Sequence, residues 1–371
     1  MGETRSLGEI GRVFLKLGTL GFGGPLAHVA LMDHELVQRR GWIDRATFMQ
    51  LYATTQLIPG PNSTELALHL GHRERGFAGL MVAGFAFIAP AFLASCLLAY
   101  TYQKWGDWPL ASDILFCLRP IIFALVSVAL FTFARQMPSR LRLIIGMVSA
   151  LILQRLGLNE ILCLALVASA FAFWNKPHSA LPGIAGVLPF SLPVLTSPNL
   201  PTIFGLFFKI GAVLYGSGYS LLLYLREDFV VQRHWLSEVQ LIDAITAGQI
   251  TPGPLFSTAT FIGYLLQGPY GAVAATVGIF LPAFIMIAGG SWLLPRWQAV
   301  SWSRSFLEGV NAGALGLMVL TLLSLGKVSL SSAPQVFLAL GSTVVLTRTR
   351  CDPSYLIIFG IVLGIGRWLA S

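Results

Sequence analysis

Of 371 residues, 55% are hydrophobic and only 11% are charged, against about a quarter charged in an ordinary soluble domain. That excludes a water-soluble enzyme: apolar runs of about 20 residues, enough to cross ~30 Å of hydrocarbon, recur along the chain and make it a polytopic membrane protein. The net charge of +8 comes from Lys and Arg in short loops between those runs, where such cations fix orientation toward the cytoplasm, so it does not point to nucleic acid.

The opening residues, with Glu3, Arg5 and Glu9, do not read as a cleavable signal peptide, and the first apolar segment is expected to stay. Hydrophobic patterning predicts helical segments over 8–31, 46–71, 76–102, 112–134, 140–156 and 158–174, a Pro-rich stretch over 177–202, then 203–224, 238–265, 270–294, 304–325, 333–347 and 354–370. These runs are continuously apolar over helical lengths, which excludes the alternating pattern of a membrane β-barrel. Cys96, Cys117, Cys163 and Cys351 lie far apart with no CxxC, and read as small buried apolar residues.

The chain repeats itself. At an offset of 193 residues, Phe14, Lys16, Gly18, Arg40, Trp42, Gln56 and Pro59-Gly60-Pro61 fall on Phe207, Lys209, Gly211, Arg233, Trp235, Gln249 and Pro252-Gly253-Pro254. After one residue is lost, Gly71, Gly79 and Pro90-Ala91-Phe92 meet Gly263, Gly271 and Pro282-Ala283-Phe284. The expected organisation is an N-terminal repeat over 1–176, a Pro-rich linker or extra crossing over 177–202, and a C-terminal repeat over 203–371. Loop cations orient the halves oppositely. In the first half they gather after the second and fourth segments (Arg73, Arg75, Arg135, Arg140, Arg142), in the second after the third and fifth (Arg296, Arg304, Arg348, Arg350). The predicted fold is therefore an all-α membrane protein of two inverted repeats, a common build of secondary transporters. An odd number of crossings must separate the repeats, so either Ala180–Leu195 crosses or an early segment fails to span.

Pro and Gly interrupt the apolar segments at Gly21–Pro25, at Pro59-Gly60-Pro61 and at Pro252-Gly253-Pro254. Proline removes an amide donor and glycine disfavours helix, so the segments should break in their middles. Broken backbone at membrane depth lines a cavity or is packed against protein. A half-helix starting after such a break aims free N–H groups and its positive dipole end at the cavity, which suits an anion. Asn62, Ser63 and Thr64 follow the first PGP, and Ser257, Thr258 and Thr260 follow the second, adding hydroxyl or amide donors for a tetrahedral oxyanion. The competing reading is a packing kink.

Charges inside apolar segments are few, and each is a functional hypothesis. Lys16 and Lys209 repeat and could neutralise an anion, or could snorkel to the interface. Glu65, aligned with Thr258, is the proton-coupling candidate, its alternative being an ion pair with Arg73. Arg119 before Pro120 is a path-lining candidate, its alternative being a loop cap. The histidines lack zinc spacing, so no metal is assigned.

Phe22-Gly23-Gly24-Pro25, then Glu35, Arg39, Arg40, Gly41-Trp42 and the run Gln56 to Glu65, resemble the signature of the chromate ion transporter family. In the second half Gly216-Ser217-Gly218-Tyr219, Trp235-Leu236, Gln240 to Ala244, Gly248-Gln249, Pro252-Gly253-Pro254 and Phe280 to Phe284 look like the C-terminal half of its long two-domain members. One departure is His34, where the family pattern carries an Arg before Glu35. The resemblance implies proton-driven export of chromate across the bacterial inner membrane by a multi-pass protein, with sulfate as competitor and no cofactor. With the helix breaks, it implies a substrate site between the repeats. That site comprises Lys16, Gly23, Gly24, Pro25, Gln56, Pro59, Gly60, Pro61, Asn62, Ser63 and Thr64 from the first half. From the second it takes Lys209, Gly216, Ser217, Gln249, Pro252, Gly253, Pro254, Ser257 and Thr258. The alternatives are transport of sulfate or another tetrahedral oxyanion, and a passive anion channel. Whether the chain pairs as a homodimer is left open. An intramembrane serine protease built on Ser217 lacks a base, since the second half's single histidine, His234, sits in a loop; no catalytic residue is assigned. No phosphate-binding loop is present, which excludes ATP drive within the chain.

Overall fold

The structure, a computed structural model, describes residues 5–21, 25–55, 58–106, 108–174, 197–215, 218–290, 301–349 and 352–370. Among them all regular structure is helical: α1 (Leu7–Leu20), α2 (Pro25–Met32), α3 (Arg45–Thr55), α4 (Asn62–Trp105), α5 (Pro109–Arg135), α6 (Arg140–Arg155) and α7 (Glu160–Trp174) form the first half. The second comprises α8 (Leu200–Val213), α9 (Leu221–Leu225), α10 (Glu238–Ile250), α11 (Thr258–Gly290), α12 (Ser301–Ser329), α13 (Ala333–Arg348) and α14 (Pro353–Ala370). Wide π-helical turns, Asp33–Arg39 and Arg226–Val231, occupy the same place in each repeat. Local sequence sets the starts. Ser6, Ser139 and Asn199 accept N-cap hydrogen bonds, and Ser237 with Gln240 forms a capping box. Asp44 accepts bonds from the Thr47 hydroxyl and amide at 2.6 and 2.9 Å, which hold its carboxyl below the usual range and fix the start of α3.

The early segments depart from simple crossings. The expected spans 8–31 and 46–71 are each a hairpin that enters, breaks and returns. Arg5 pairs with Glu74 at 3.0 Å and stacks 5.1 Å from the Trp42 ring, so the start of the first hairpin and the ends of both share one level. Arg75 Nε also donates to the Arg5 carbonyl at 2.9 Å, and its repeat mate Gln267 donates to the Pro198 carbonyl at 2.8 Å. Within α4 the chain then doubles back at Arg75-Gly76, where Gly76 takes φ +57°, ψ −142°; Gln267-Gly268 repeats the geometry in α11 with φ +59°, ψ −151°. A Cβ on Gly71 would stand 2.5 Å from the Gly79 carbonyl oxygen, although eight residues of straight helix span about 12 Å. Small residues let the two arms touch.

After the turn, residues 77–105 run as one helix to the far end, where Gln103 donates to the Leu265 carbonyl at 3.3 Å. The entry level of the second half is thus the exit level of the first, and the repeats are inverted. Gly309 and Gly313 of α12 press on Ala168 and Leu164, so α7 runs antiparallel to α12 and brings Trp174 back to the first end, opposite Pro198. The connection between them falls in 175–196; the proposed crossing Ala180–Leu195 and most of the linker 177–202 lie outside the described residues, while α8 already begins at Leu200. Arg142 pairs with Glu308 at 2.8 Å, joining the basic end of the first half to the second.

Five helical stretches are long and apolar enough to cross a membrane: Asn62–Trp105, Pro109–Arg135, Leu255–Gly289, Ser305–Ser329 and Pro353–Ala370. Phe77, Leu93, Tyr270, Phe337 and Leu369 lie exposed on the outside, as side chains facing lipid do. Inside, α1 packs on α4 and α8 on α11, and the largest core cluster draws Leu206, Phe207, Phe256, Phe280 and Leu317 together. Close approach is obligatory at Gly18 and Gly211, where a Cβ would strike the backbone carbonyls of Phe87 and Ile279.

Candidate functional site

The tips of the hairpins meet at the centre and interlock across the repeats. Gly60 N–H donates to the Leu214 carbonyl at the end of α8, and Gly253 N–H donates to the Gly21 carbonyl at the end of α1, both at 2.7 Å. The donors are equivalent positions, as are the acceptors, so the pair obeys the pseudo-two-fold relation. Both PGP glycines sit at positive φ, +136° for Gly60 and +94° for Gly253. A Cβ on Gly60 would reach Glu65 Oε1 and Ala283 of the other half, and one on Gly253 would reach Ala91. Each break is pinned by the opposite repeat and by the alanine of its Pro-Ala-Phe.

Around these tips some buried side-chain atoms are left without partners. Pro61 caps the half-helix of residues 62–74 without a side-chain bond, so the amides of its first turn face outward from the helix end. Thr64 Oγ1 and Gln249 Nε2 are buried with no hydrogen bond, and so are both carboxylate oxygens of Glu65, a residue with 0% exposure. Glu65 is not paired with Arg73, and Tyr215 of the other half's tip lies near it. Other named hydroxyls are engaged. Ser63 Oγ lies 3.2 Å from His28 Nδ1, Ser257 Oγ lies 3.0 Å from Thr251 Oγ1, and Thr258 Oγ1 donates to the Leu255 carbonyl. Thr260 bonds to Thr276.

The lysines stand apart from the tips, in paired ion clusters. Lys16 reaches Glu35 at 2.9 Å, with Arg39 and Arg40 on the same carboxylate, and Lys209 reaches Asp228 at 2.8 Å with Arg233 beside it. Arg40 lies 5.7 Å from the Trp42 ring and Arg233 5.8 Å from Trp235. The second cluster adds Glu160 at 3.7 Å from Lys209. Arg119 grips Asp243 of α10 with two bonds of 2.7 and 2.9 Å, and Tyr102 donates to the same carboxylate. Gly23, Gly24, Gln56, Gly216 and Ser217 lie outside the described residues, as does the side chain of Pro25. Among the described residues no His, Cys, Asp or Glu group forms a metal cluster.

Sequence reasoning missed His28, which is buried, donates from Nε2 to the Gly21 carbonyl that also receives Gly253, and meets Phe87 edge-on. It also passed over Asp243 and Glu160, both acids within or at the edge of apolar segments. Misfit between repeats was the available signal: His28 aligns with Leu221 and Asp243 with Gln50.

A model of the family described as chromate transporter matches residues 8–174 and again 201–365. The chain belongs to the chromate transporter family. The two matches coincide with the two inverted halves, and the family is one of transporters rather than enzymes. The chain is 29% identical to a chromate transport protein of Cupriavidus metallidurans, over 97% of this chain and 92% of that one. It is 31% identical to a chromate transport protein of Pseudomonas aeruginosa, over 87% of this chain and 82% of that one. A probable chromate transport protein of Synechococcus elongatus is 27% identical, over 98% and 96%. No solved structure matches the chain. Membership and the five apolar spans make this a multi-pass membrane protein, in keeping with a bacterial inner membrane.

Proposed function

We propose that this transporter exports chromate across the inner membrane, driven by the proton-motive force, at one site between the two hairpin tips of each repeat. The observation that carries the reading is the crossed pair of backbone bonds, Gly60 to Leu214 and Gly253 to Gly21, which brings both breaks to one centre. Unpartnered buried donors there are what a bound dianion would satisfy, since an orphaned buried polar group costs about 1–3 kcal/mol. In this reading Thr64 Oγ1 and Gln249 Nε2 hold the oxyanion at the positive end of the half-helix that starts after Pro61. Gln56, Ser63, Ser257 and Thr258 complete the shell, and the remaining Gly and Pro positions shape the breaks.

Glu65 is the proton carrier. A carboxyl with neither a cation nor a hydrogen bond is tolerable in the membrane as the neutral acid, and it loses its proton only when the surroundings change. Proton binding and dianion binding at neighbouring positions then exclude or favour each other, which is the coupling exchange transport needs. Lys16 and Lys209 are committed to Glu35 and Asp228, so they contribute to the anion through the field of their clusters or after those pairs open. Alternating access would come from rocking one set of hairpins against the other.

The test is chromate uptake into everted membrane vesicles, with and without a proton gradient, with excess sulfate added. Gradient-dependent uptake above that of empty vesicles is expected. Uptake indifferent to collapse of the gradient would sink the proton-driven reading in favour of a passive channel.

A further inference from the structure

The half-helix of residues 62–74 carries three titratable side chains at Glu65, His69 and His72, spaced i, i+4, i+7. That spacing stacks them on one face of a helix, with neighbouring Cβ atoms about 5–6 Å apart. Burial falls away along the row: Glu65 is wholly buried, and His69 and His72 are partly exposed toward the Arg73 end. Like both Glu65 oxygens, His69 Nε2 is buried with no hydrogen-bond partner. An unpartnered imidazole nitrogen next in line to an unpartnered carboxylate has no packing purpose, because each would be cheaper to bury as leucine. The equivalent helix of the second half has Thr258 and Ile262 in the first two places and, with Gly71 matched to Gly263, Tyr264 in the third, so one repeat alone carries the acid and both histidines.

We propose that Glu65, His69 and His72 form a proton path from the central site to the Arg73–Arg75 end of the molecule, and to that end only. The inference rests on the reading of Glu65 as proton carrier. Buried Glu and His chains of this kind serve as relays in pumps and transporters. A proton on the Glu65 carboxyl passes to the neutral imidazole of His69, then to His72, and leaves to water beside Arg73; recharging runs the same steps in reverse. No proton is consumed, and each imidazole returns to neutrality. The basic loops mark this end as cytoplasmic, so the row is the cytoplasmic leg of the proton route. Other ionisable groups facing it are His28 of α2 on Ser63, Tyr215 near Glu65, and the Arg5–Glu74 pair with Arg75 at the outer end.

The experiment reconstitutes the full chain in liposomes and compares chromate exchange, which needs no net proton movement, with accumulation driven by a proton gradient. Wild type, Glu65→Gln, His69→Gln, His72→Gln and the exposed control His34→Gln are measured. His69→Gln is expected to keep exchange and to lose gradient-driven accumulation by about a hundredfold, the lower range for removal of a positioned proton donor. His72→Gln should lose less, and regain it with external imidazole. Accumulation at wild-type level in both His variants, with Glu65→Gln inactive, would overturn the path and leave the carrier standing. Wild-type accumulation by Glu65→Gln would instead remove the carrier. Loss of exchange together with accumulation in both His variants would assign them to packing or to the substrate site and also overturn the path.

Discussion

Gly60 and Gly76 both hold backbone angles that favour glycine, yet they differ in what surrounds them. A methyl on Gly60 would meet Glu65 Oε1 at 2.5 Å, whereas nothing lies within 4 Å of one on Gly76. Gly60→Ala should therefore cost about 1–3 kcal/mol of backbone strain and also displace the carboxylate, abolishing transport. Gly76→Ala should lower stability by about 1–3 kcal/mol and still transport. Parallel thermal unfolding and uptake measurements check the pair; equal loss of uptake in both variants would remove the special role of the tip. The residues at these breaks were legible in the sequence, because two PGP strings at one repeat offset demand a shared purpose. His28 and the unpaired state of Glu65 were not, since a hydrogen bond between Ser63 and His28 depends on how two hairpins fold back rather than on any local pattern.

At the level of elements, the two ion clusters make a natural comparison. Lys209 is buried between Asp228 and Glu160, while the side chain of Lys16 is 42% exposed and Glu35 keeps Arg39 and Arg40. Removing Lys209 leaves Glu160 out of water with no cation beside it, and Asp228 with Arg233 alone, a loss of about 3–5 kcal/mol. Removing Lys16 should cost under ~1 kcal/mol, as for a screened pair with other partners. Unfolding of Lys209→Ala and Lys16→Ala in detergent tests the contrast. Helix positions and breaks followed from apolar run length, Pro and Gly. The direction of travel did not: residues 8–31 are long enough to cross, and hydropathy alone does not distinguish a crossing from a bent return. Gly76 and Gly268, where α4 and α11 double back, fall at the expected boundaries between segments 46–71 and 76–102 and between 238–265 and 270–294.

Across the whole molecule, inversion places the Arg75 turn and the Gln267 turn at opposite ends. Cysteines introduced at Arg73 and at Gln267, both exposed, should label from opposite faces of oriented vesicles, Arg73→Cys from the cytoplasmic one. Labelling from one face would contradict the inverted arrangement. The repeat and its charge reversal carried this much in sequence, while the meeting of the tips needed the fold. The central claim, that one dianion is held by both repeats at once, is tested most directly by a double-mutant cycle between Thr64→Ala and Gln249→Ala, read as chromate affinity. Residues sharing one ligand should give an interaction energy of about 0.5 kcal/mol or more; losses that add within about 0.3 kcal/mol would mean two independent positions and contradict a shared site.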